Sequence, residues 1–202
     1  SDDPVNNHVW RVRRDWASGD LTSDAANYYG YTSAGDVTAE QIATVKGQYE
    51  YDWMNWPAAW GAPYHDVDGD GSYDPNTDIP GYPGADQTLW TIANDVPLVV
   101  DAAGTILDTM STAPNLYGAD PIGIELQITM WGYAFGAGDP LGNMIFKKAT
   151  MKYTGLPGGP ADASMDSLYF TQWSDPDLGT YTDDYVGCDV DLSFGYVYNG
   201  NR

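Results

Sequence analysis

Apolar and polar residues alternate with a period of two along much of the second half of the chain. The clearest example runs from Gly123 to Phe135, where Ile124, Leu126, Ile128 and Met130 share one face. This period is typical of a half-buried β-strand. The same criterion predicts strands over residues 9–14, 87–94, 143–153, 165–173 and 186–198, and a small hairpin built from 98–101 and 104–109.

A helical period is confined to the first quarter of the chain. Thr38 lies three residues before Gln41, the spacing of a capping box in which the hydroxyl and the amide satisfy free backbone groups at a helix start. Apolar residues then recur on one stripe until about Trp53, so we predict a helix there. A shorter helix is predicted from Thr22 to Tyr28.

Several strands separated by Gly- and Pro-rich turns, with few helices, indicate a mainly β fold. We predict an antiparallel β-sandwich with a short N-terminal helical portion and long loops. Three segments follow from this: residues 1–60 as the N-terminal strand and helical portion, 61–86 as a loop segment, and 87–202 as the sandwich. We expect them to form one compact unit.

The charge balance narrows the class of partner. Among 202 residues, 29 are acidic and 8 are basic, which gives a net charge of -21. Nucleic-acid binding requires a basic face, so we expect no nucleic-acid partner. We also expect no membrane insertion, because no apolar run reaches the length of a span. Cys188 is the only cysteine, and an internal disulfide is therefore impossible.

Four aspartates crowd the stretch from His65 to Pro75. The first three take positions 1, 3 and 5 of an EF-hand loop, and Gly71 takes the turn position 6. Carboxylate oxygens at this spacing are typical calcium ligands, so we predict a calcium site; the alternative is a solvated acidic turn. The predicted ligands are Asp66, Asp68, Asp70, the carbonyl of Ser72, Asp74 and Asp78.

The second half of this loop departs from the EF-hand pattern. Thr77 stands where a bidentate Glu is expected, and Pro75 and Pro80 forbid a long helix after the loop. We therefore predict a calcium loop that acts as a structural clamp between the helical portion and the sandwich, rather than a sensor that opens a helix pair.

A second acidic stretch lies between residues 174 and 189. It predicts a second calcium site, with a weaker pattern because no glycines space the carboxylates. The alternative is that Asp175 and Asp184 form Asx turns and cap backbone amides. The predicted ligands are Asp175, Asp177, Asp183, Asp184 and Asp189.

No sequence motif for nucleophilic, metalloprotease, phosphate-binding or dinucleotide-binding chemistry is present, and we expect no enzymatic activity. A hydrolase using paired carboxylates is a minor alternative, since the acidic residues are too numerous for the sequence to select a pair. A glycan-binding module is a second alternative, in which tryptophans stack on sugar rings; the opposing interpretation places them in the core. The candidates are Trp53, Trp56, Trp60 and Trp131.

Long stretches of the chain resemble a module of large secreted surface proteins of the Bacteroidetes and Ignavibacteria type, which carry type IX secretion sorting domains. The stretches are residues 11–15, Trp56-Pro57, Gly61-Ala62-Pro63, residues 66–71, 73–75, 78–81 and 84–90, Ala93-Asn94-Asp95, and residues 121–125, 141–147, 173–179, 183–189 and 195–199. The resemblance implies an exported, β-rich protein with immunoglobulin-like or fibronectin-like modules and supplies no catalytic residues. It also implies possible O-glycosylation at Thr109 and Ser167, which follow aspartates.

These observations together predict a calcium-stabilised extracellular structural protein, a cell-surface component or filament subunit. We expect its partners to be copies of itself, other surface proteins or glycans.

Overall fold

The computed structural model describes residues 8–95, 99–100, 106–108, 121–136, 138–156, 159–160 and 162–200. The chain forms two compact units, Ser1–Ser164 and Met165–Arg202. The predicted segment limits near 60 and 86 both lie inside the first unit. The elements are β1 (Trp10–Arg13), α1 (Thr22–Tyr29), α2 (Ala39–Met54), β2 (Tyr64–His65), β3 (Ile79–Pro80), β4 (Gln87–Asn94), β5 (Val99–Val100), β6 (Ile106–Asp108), β7 (Ile124–Gly132), β8 (Ile145–Tyr153), β9 (Asp184–Asp189) and β10 (Phe194–Asn199).

A four-stranded antiparallel sheet forms the frame of the first unit, in the order β1-β4-β7-β8. Alternate residues of β1 and β4 point to one face, where they meet side chains from the segment after α2. The buried members of this core are Val12, Trp56, Ala62 and Trp90. The strands β2 and β3 form a separate short antiparallel pair, as do β5 and β6.

Helix α2 begins with the predicted capping box. The Thr38 hydroxyl accepts from the Gln41 amide, and the Gln41 side chain accepts from the Thr38 amide. The helix contributes Val45 and Tyr49 to a second buried cluster with Leu21 and Ala25. The backbone amide of Arg11 donates to Asp52 of α2 and the side chain of Arg13 donates to Asp24 of α1, so β1 is joined to both helices.

Most of the predicted elements are confirmed. The mainly β class, both helices and the strand over residues 87–94 agree with the structure, and β7 and β8 fall within the predicted strands. The hairpin predicted from 98–101 and 104–109 corresponds to the paired β5 and β6, although part of it lies outside the described residues. The sandwich itself stays a prediction.

Two strand predictions in the second unit were wrong. Residues 165–173 form no strand. The strand predicted over 186–198 is divided into β9 and β10 by a turn at 190–193, so the two halves pair with each other. The Asp189 carboxylate accepts the amide of Leu192 at 2.8 Å, and Ser193 adopts a left-handed φ of 54°. Both features close the turn, and alternating hydrophobicity does not report either of them.

Candidate metal centre

The first acidic loop connects the paired strands β2 and β3. Tyr64 pairs with Pro80, and His65 pairs with Ile79. The residues between these pairs therefore form a loop that begins and ends at the same two-stranded base. This base brings the two ends of the loop together. The loop is thus anchored by backbone pairing, without the two helices that flank an EF-hand.

Three carboxylates of the loop converge. One oxygen from each of Asp66, Asp68 and Asp78 lies within 4.8 Å of the others, an arrangement that could hold a metal ion. Asp78 is buried, Asp66 is half-buried and Asp68 is exposed, so the group opens to solvent on one side. Hard oxygen donors of this kind suit Ca²⁺, Mg²⁺ or Mn²⁺ in preference to softer metals.

Backbone amides hold Asp66 in place. Its Oδ1 accepts the amide of Gly69 at 2.7 Å, and its Oδ2 accepts the amide of Gly71 at 2.9 Å. Both glycines have left-handed φ angles, 76° and 80°, which the chain needs in order to turn its amides inward. The Gly71 bond is the largest cause of a lowered pKa at Asp66, because it favours the charged form.

Asp78 is the buried member of the group. It is 3% exposed, its Oδ1 accepts the amide of Val67 at 2.9 Å, and its Oδ2 accepts the amide of Asp74 at 2.9 Å. The carboxylate therefore ties both halves of the loop together before any ion is considered. A charged group this deeply buried requires such partners.

Asp68 is under the opposite influence from Asp66. The amide of Asp70 donates to it at 3.2 Å and lowers its pKa, but desolvation and the charges of Asp70, Asp78 and Asp66 outweigh that bond, and the net pKa is raised. Repulsion from the neighbouring carboxylates therefore contributes to the raised pKa of Asp68. A cation among them would relieve it.

The remaining predicted ligands lie outside the converging group. Asp70 accepts the amide of Ser72 at 2.7 Å. Asp74 accepts the backbone and side-chain nitrogens of Asn76, each at 2.9 Å, and the backbone bond is the largest cause of its lowered pKa. These two aspartates form local turns, and among the predicted carboxylate ligands after Asp68 only Asp78 joins the converging group.

Aromatic side chains attach the loop to helix α2. The Tyr73 hydroxyl donates to the Trp53 carbonyl at 2.6 Å, and the Trp53 indole donates to the Pro75 carbonyl at 3.1 Å. Burial, followed by the charges of Asp78 and Asp74, raises the Tyr73 pKa, so its hydroxyl remains a donor. The loop is therefore connected to the end of α2 from both sides of Asp74.

The second acidic stretch shows no comparable convergence among the described residues. The Asp184 carboxylate accepts the amide of Leu178 at 2.8 Å, and Asp189 caps the turn between β9 and β10. Asp175 and Asp177 are exposed, and Asp183 is half-buried. The amide-capping alternative thus describes Asp184, and the second metal site stays a prediction.

The four candidate tryptophans have different surroundings. Trp56 is buried and donates to the Pro63 carbonyl, Trp53 is held as described above, and Trp131 stacks on Tyr82 at a centroid distance of 3.8 Å. Trp60 is 61% exposed. The platform of four exposed rings is therefore reduced to a single open indole.

Comparison with known proteins found no matching family model, no similar curated protein and no similar solved structure. In the described parts of the chain, neither helix has the length and apolarity required to cross a membrane. Of the two residues considered for O-glycosylation, Ser167 is exposed in the structure, and Thr109 lies outside the described residues.

Proposed function

We propose that this chain is a calcium-stabilised extracellular structural protein that serves as a cell-surface component or a filament subunit. The observation that carries the proposal is the convergence of Asp66, Asp68 and Asp78 on a loop that is anchored to the fold. The proposed β-sandwich and the resemblance to secreted surface modules are consistent with this role. No enzymatic activity is included in it.

Calcium is the proposed ion because the converging side chains offer only hard oxygen donors, in a loop of irregular backbone. Ca²⁺ accepts six to eight oxygens at about 2.3–2.6 Å, and its tolerance of irregular geometry suits a loop without an EF-hand helix pair. The Ser72 carbonyl and the carboxylates of Asp70 and Asp74 lie in the same loop and are the proposed further ligands, together with water. A modest affinity, about 10⁻⁴–10⁻³ M, is usual for extracellular modules.

The contacts around the loop explain how an ion would stabilise the whole first unit. The loop is held to the end of α2 through Tyr73 and Trp53, and to the sheet through the segment after β3, where the Thr88 hydroxyl accepts the amide of Tyr82 at 2.9 Å. An ion that binds only the folded loop stabilises every element connected to it by mass action. This is the proposed clamp.

The proposal is tested by thermal unfolding in calcium and in EDTA, with size measured by light scattering under both conditions. We expect EDTA to lower the melting temperature and to weaken self-association. Asp68→Asn should abolish the calcium response. Asp36→Asn is the matched control, because Asp36 is an exposed aspartate whose side chain makes no hydrogen bond with another described residue. An unchanged melting temperature in EDTA would contradict the proposal.

A second candidate function rests on the exposure of Trp60. Trp60 is the last residue of the short helix Ala58–Trp60, and its backbone carbonyl accepts the side-chain amide of Gln127 at 3.0 Å, which fixes the backbone beneath the ring. A fixed, exposed indole is a suitable surface for stacking on a sugar. Glycan-array binding that is lost in Trp60→Ala and retained in Trp56→Phe would support this function, and an array without signal would eliminate it.

A further inference from the structure

A cavity of about 550 Å³ in the first unit is lined by residues from both helices, β4 and the segment that contains β1. Its volume lies within the range of small-molecule sites, about 300–1,000 Å³. One face of α2 supplies half of the lining, because positions three and four residues apart lie on the same side of a helix. These residues are Thr44, Gly47, Gln48, Tyr51 and Asp52.

Arg11 brings a positive charge to this cavity. Its guanidinium lies over the rings of Tyr28 and Tyr49, at 5.3 and 5.1 Å from the ring centroids. It also donates to the side-chain oxygen of Gln48, whose side-chain nitrogen donates to the Tyr28 hydroxyl at 2.9 Å. These contacts hold the guanidinium in place and use only part of its five N–H donors.

Arg11 forms no ion pair with another described residue, although the chain is strongly acidic. Arg13, two positions further along the same strand, pairs with both Asp15 and Asp24. The planar fork of an arginine matches the two oxygens of a carboxylate. A fixed guanidinium in a cavity, without a carboxylate of its own, is therefore suited to a carboxylate of a ligand.

The acidic residue in the cavity wall already has protein partners. Asp52 is 3% exposed; its Oδ2 accepts the amide of Arg11 at 2.8 Å, and its Oδ1 lies 2.7 Å from Nε2 of His8. Among the described residues that line the cavity, Asp52 is the only acid. Exposed carboxylates elsewhere are screened over about 8 Å at physiological salt, so they oppose an anion here only weakly.

The rim of the cavity is open and aromatic. Tyr51 is 57% exposed, and its ring is stacked on Trp10 at a centroid distance of 6.1 Å and an interplanar angle of 12°. Tyr28 is 50% exposed. A compact aromatic acid would require walls that bury most of its surface, whereas a saccharide keeps hydroxyls in water and stacks its C–H face on an exposed ring. The open rim therefore favours a saccharide.

Gly47 leaves space in the cavity wall. A glycine in the interior of a helix is destabilising relative to other residues that favour helices. A Cβ added at Gly47 would meet no described atom within 4 Å, so packing within the described protein does not require the glycine. The missing side chain leaves room for a ligand beside Gln48 and Tyr51.

We propose that this cavity binds a uronic acid unit of an acidic polysaccharide, with the carboxylate on Arg11 and the sugar ring on Tyr51. The side-chain oxygens of Gln48 and Thr44 retain acceptor capacity for the sugar hydroxyls. The inference goes beyond the proposed structural role, and it requires neither the calcium loop nor Trp60.

Titration calorimetry with matched saccharides tests the recognition of the carboxylate. The probes are trimers of galacturonic, glucuronic, mannuronic and guluronic acid, each compared with its methyl ester, which keeps the sugar and removes the charge. Calcium is left out so that the acids cannot bridge through it to the acidic loop. We expect the wild type to bind at least one acid about tenfold more tightly than its ester.

Two arginine variants test which cation is responsible. Arg11→Gln should weaken binding of the acid about tenfold or more, since a hydrogen-bonded charge pair is lost, and should change binding of the ester much less. Arg14→Gln is the matched control, because Arg14 directly follows β1, is exposed and lies outside the cavity. It should bind like the wild type.

Gly47→Met tests the cavity without weakening the fold. The new side chain occupies the space beside Gln48, and methionine favours a helix more than glycine does. We expect a melting temperature at least as high as that of the wild type, together with loss of binding. Ala43→Met is the control at an exposed position of the same helix outside the cavity, and it should retain binding.

Several results would overturn the proposal: no wild-type binding of any acid trimer, equal affinity for acid and ester, or wild-type affinity in Gly47→Met. Binding that is lost in Trp60→Ala and retained in Arg11→Gln would also overturn it, because the saccharide would then lie at Trp60. None of these results bears on the calcium clamp, which is tested by the melting temperature in calcium and in EDTA.

Discussion

Replacing Asp78 by alanine separates the structural role of this carboxylate from its role toward an ion. The side chain accepts two backbone amides, those of Val67 and Asp74, each at 2.9 Å. Alanine leaves both donors without an acceptor, and each unsatisfied donor costs roughly 1–3 kcal/mol. Water reaches the open side of the loop and reduces this cost, so we expect a loss of about 2–4 kcal/mol even without calcium.

Asp68→Asn is the informative comparison. Asp68 is exposed, and its hydrogen bond comes from the amide of Asp70 at 3.2 Å, which an asparagine oxygen can also accept. The metal-free variant should therefore be at least as stable as the metal-free wild type, because the amide keeps the acceptor and removes the repulsion from the neighbouring carboxylates. Its loss should appear only in calcium, because a neutral amide is a weaker ligand than a carboxylate.

Urea unfolding followed by tryptophan fluorescence measures both effects, since the midpoint shifts with stability at constant slope. Calcium at about 100 times its dissociation constant stabilises the wild type by about 2.7 kcal/mol. Asp78→Ala should be destabilised in both calcium and EDTA, and Asp68→Asn in calcium alone. The reasoning is refuted if Asp78→Ala has the wild-type midpoint in EDTA, or if Asp68→Asn loses as much stability in EDTA as in calcium.

Two further predictions concern the first unit away from the loop. Burial is the largest cause of the raised pKa of Asp52, ahead of the lowering effects of the Arg11 amide and His8. The neutral acid is thus favoured in the folded state. The unfolding free energy of the wild type, measured relative to that of Asp52→Asn, should therefore fall as pH rises from 3.8 through the folded-state pKa. Urea midpoints measured in a pH series check this sign, and a free-energy difference that rises with pH would contradict it. Gly81→Ala should lower the melting temperature more than Gly84→Ala. Both glycines have a positive φ, but a Cβ added at Gly81 would lie 2.8 Å from the side chain of Thr88, whereas a Cβ added at Gly84 would meet open space. Equal melting temperatures of the two variants would contradict this steric argument.

Local signals explain why much of the first unit could be predicted. The capping box at Thr38 and Gln41 is complete within four residues, and it forms as expected. The strand from Gln87 to Asn94 is confirmed residue for residue, because its buried positions Thr88 and Trp90 alternate with more exposed ones. Such elements depend on neighbours in sequence, and their pattern can be read without knowledge of the fold.

The second unit shows where this approach fails. Alternation from Cys188 to Tyr198 fits one long strand as well as two strands joined by a tight turn, since both keep the same period. The turn is decided by the Asp189 side chain and the positive φ of Ser193. An aspartate alone is a weak signal for a turn closed by the backbone amide three residues later, because most aspartates make no such bond.

The metal centre combines a signal that the sequence carries with one that only strand pairing supplies. Asp66 and Asp68 follow the spacing of an EF-hand, whose closing ligand is a bidentate Glu at position 12. Here the loop is closed by a strand pair instead, and the pairing of His65 with Ile79 places Asp78 directly across from Asp66. Thr77, at position 12, is one residue out of that register, which accounts for the absence of an acidic residue there. The next residue, Asp78, converges with Asp66 and Asp68 instead. The same two features, an EF-like start and an antiparallel base, define the pattern by which such a loop could be recognised in another sequence.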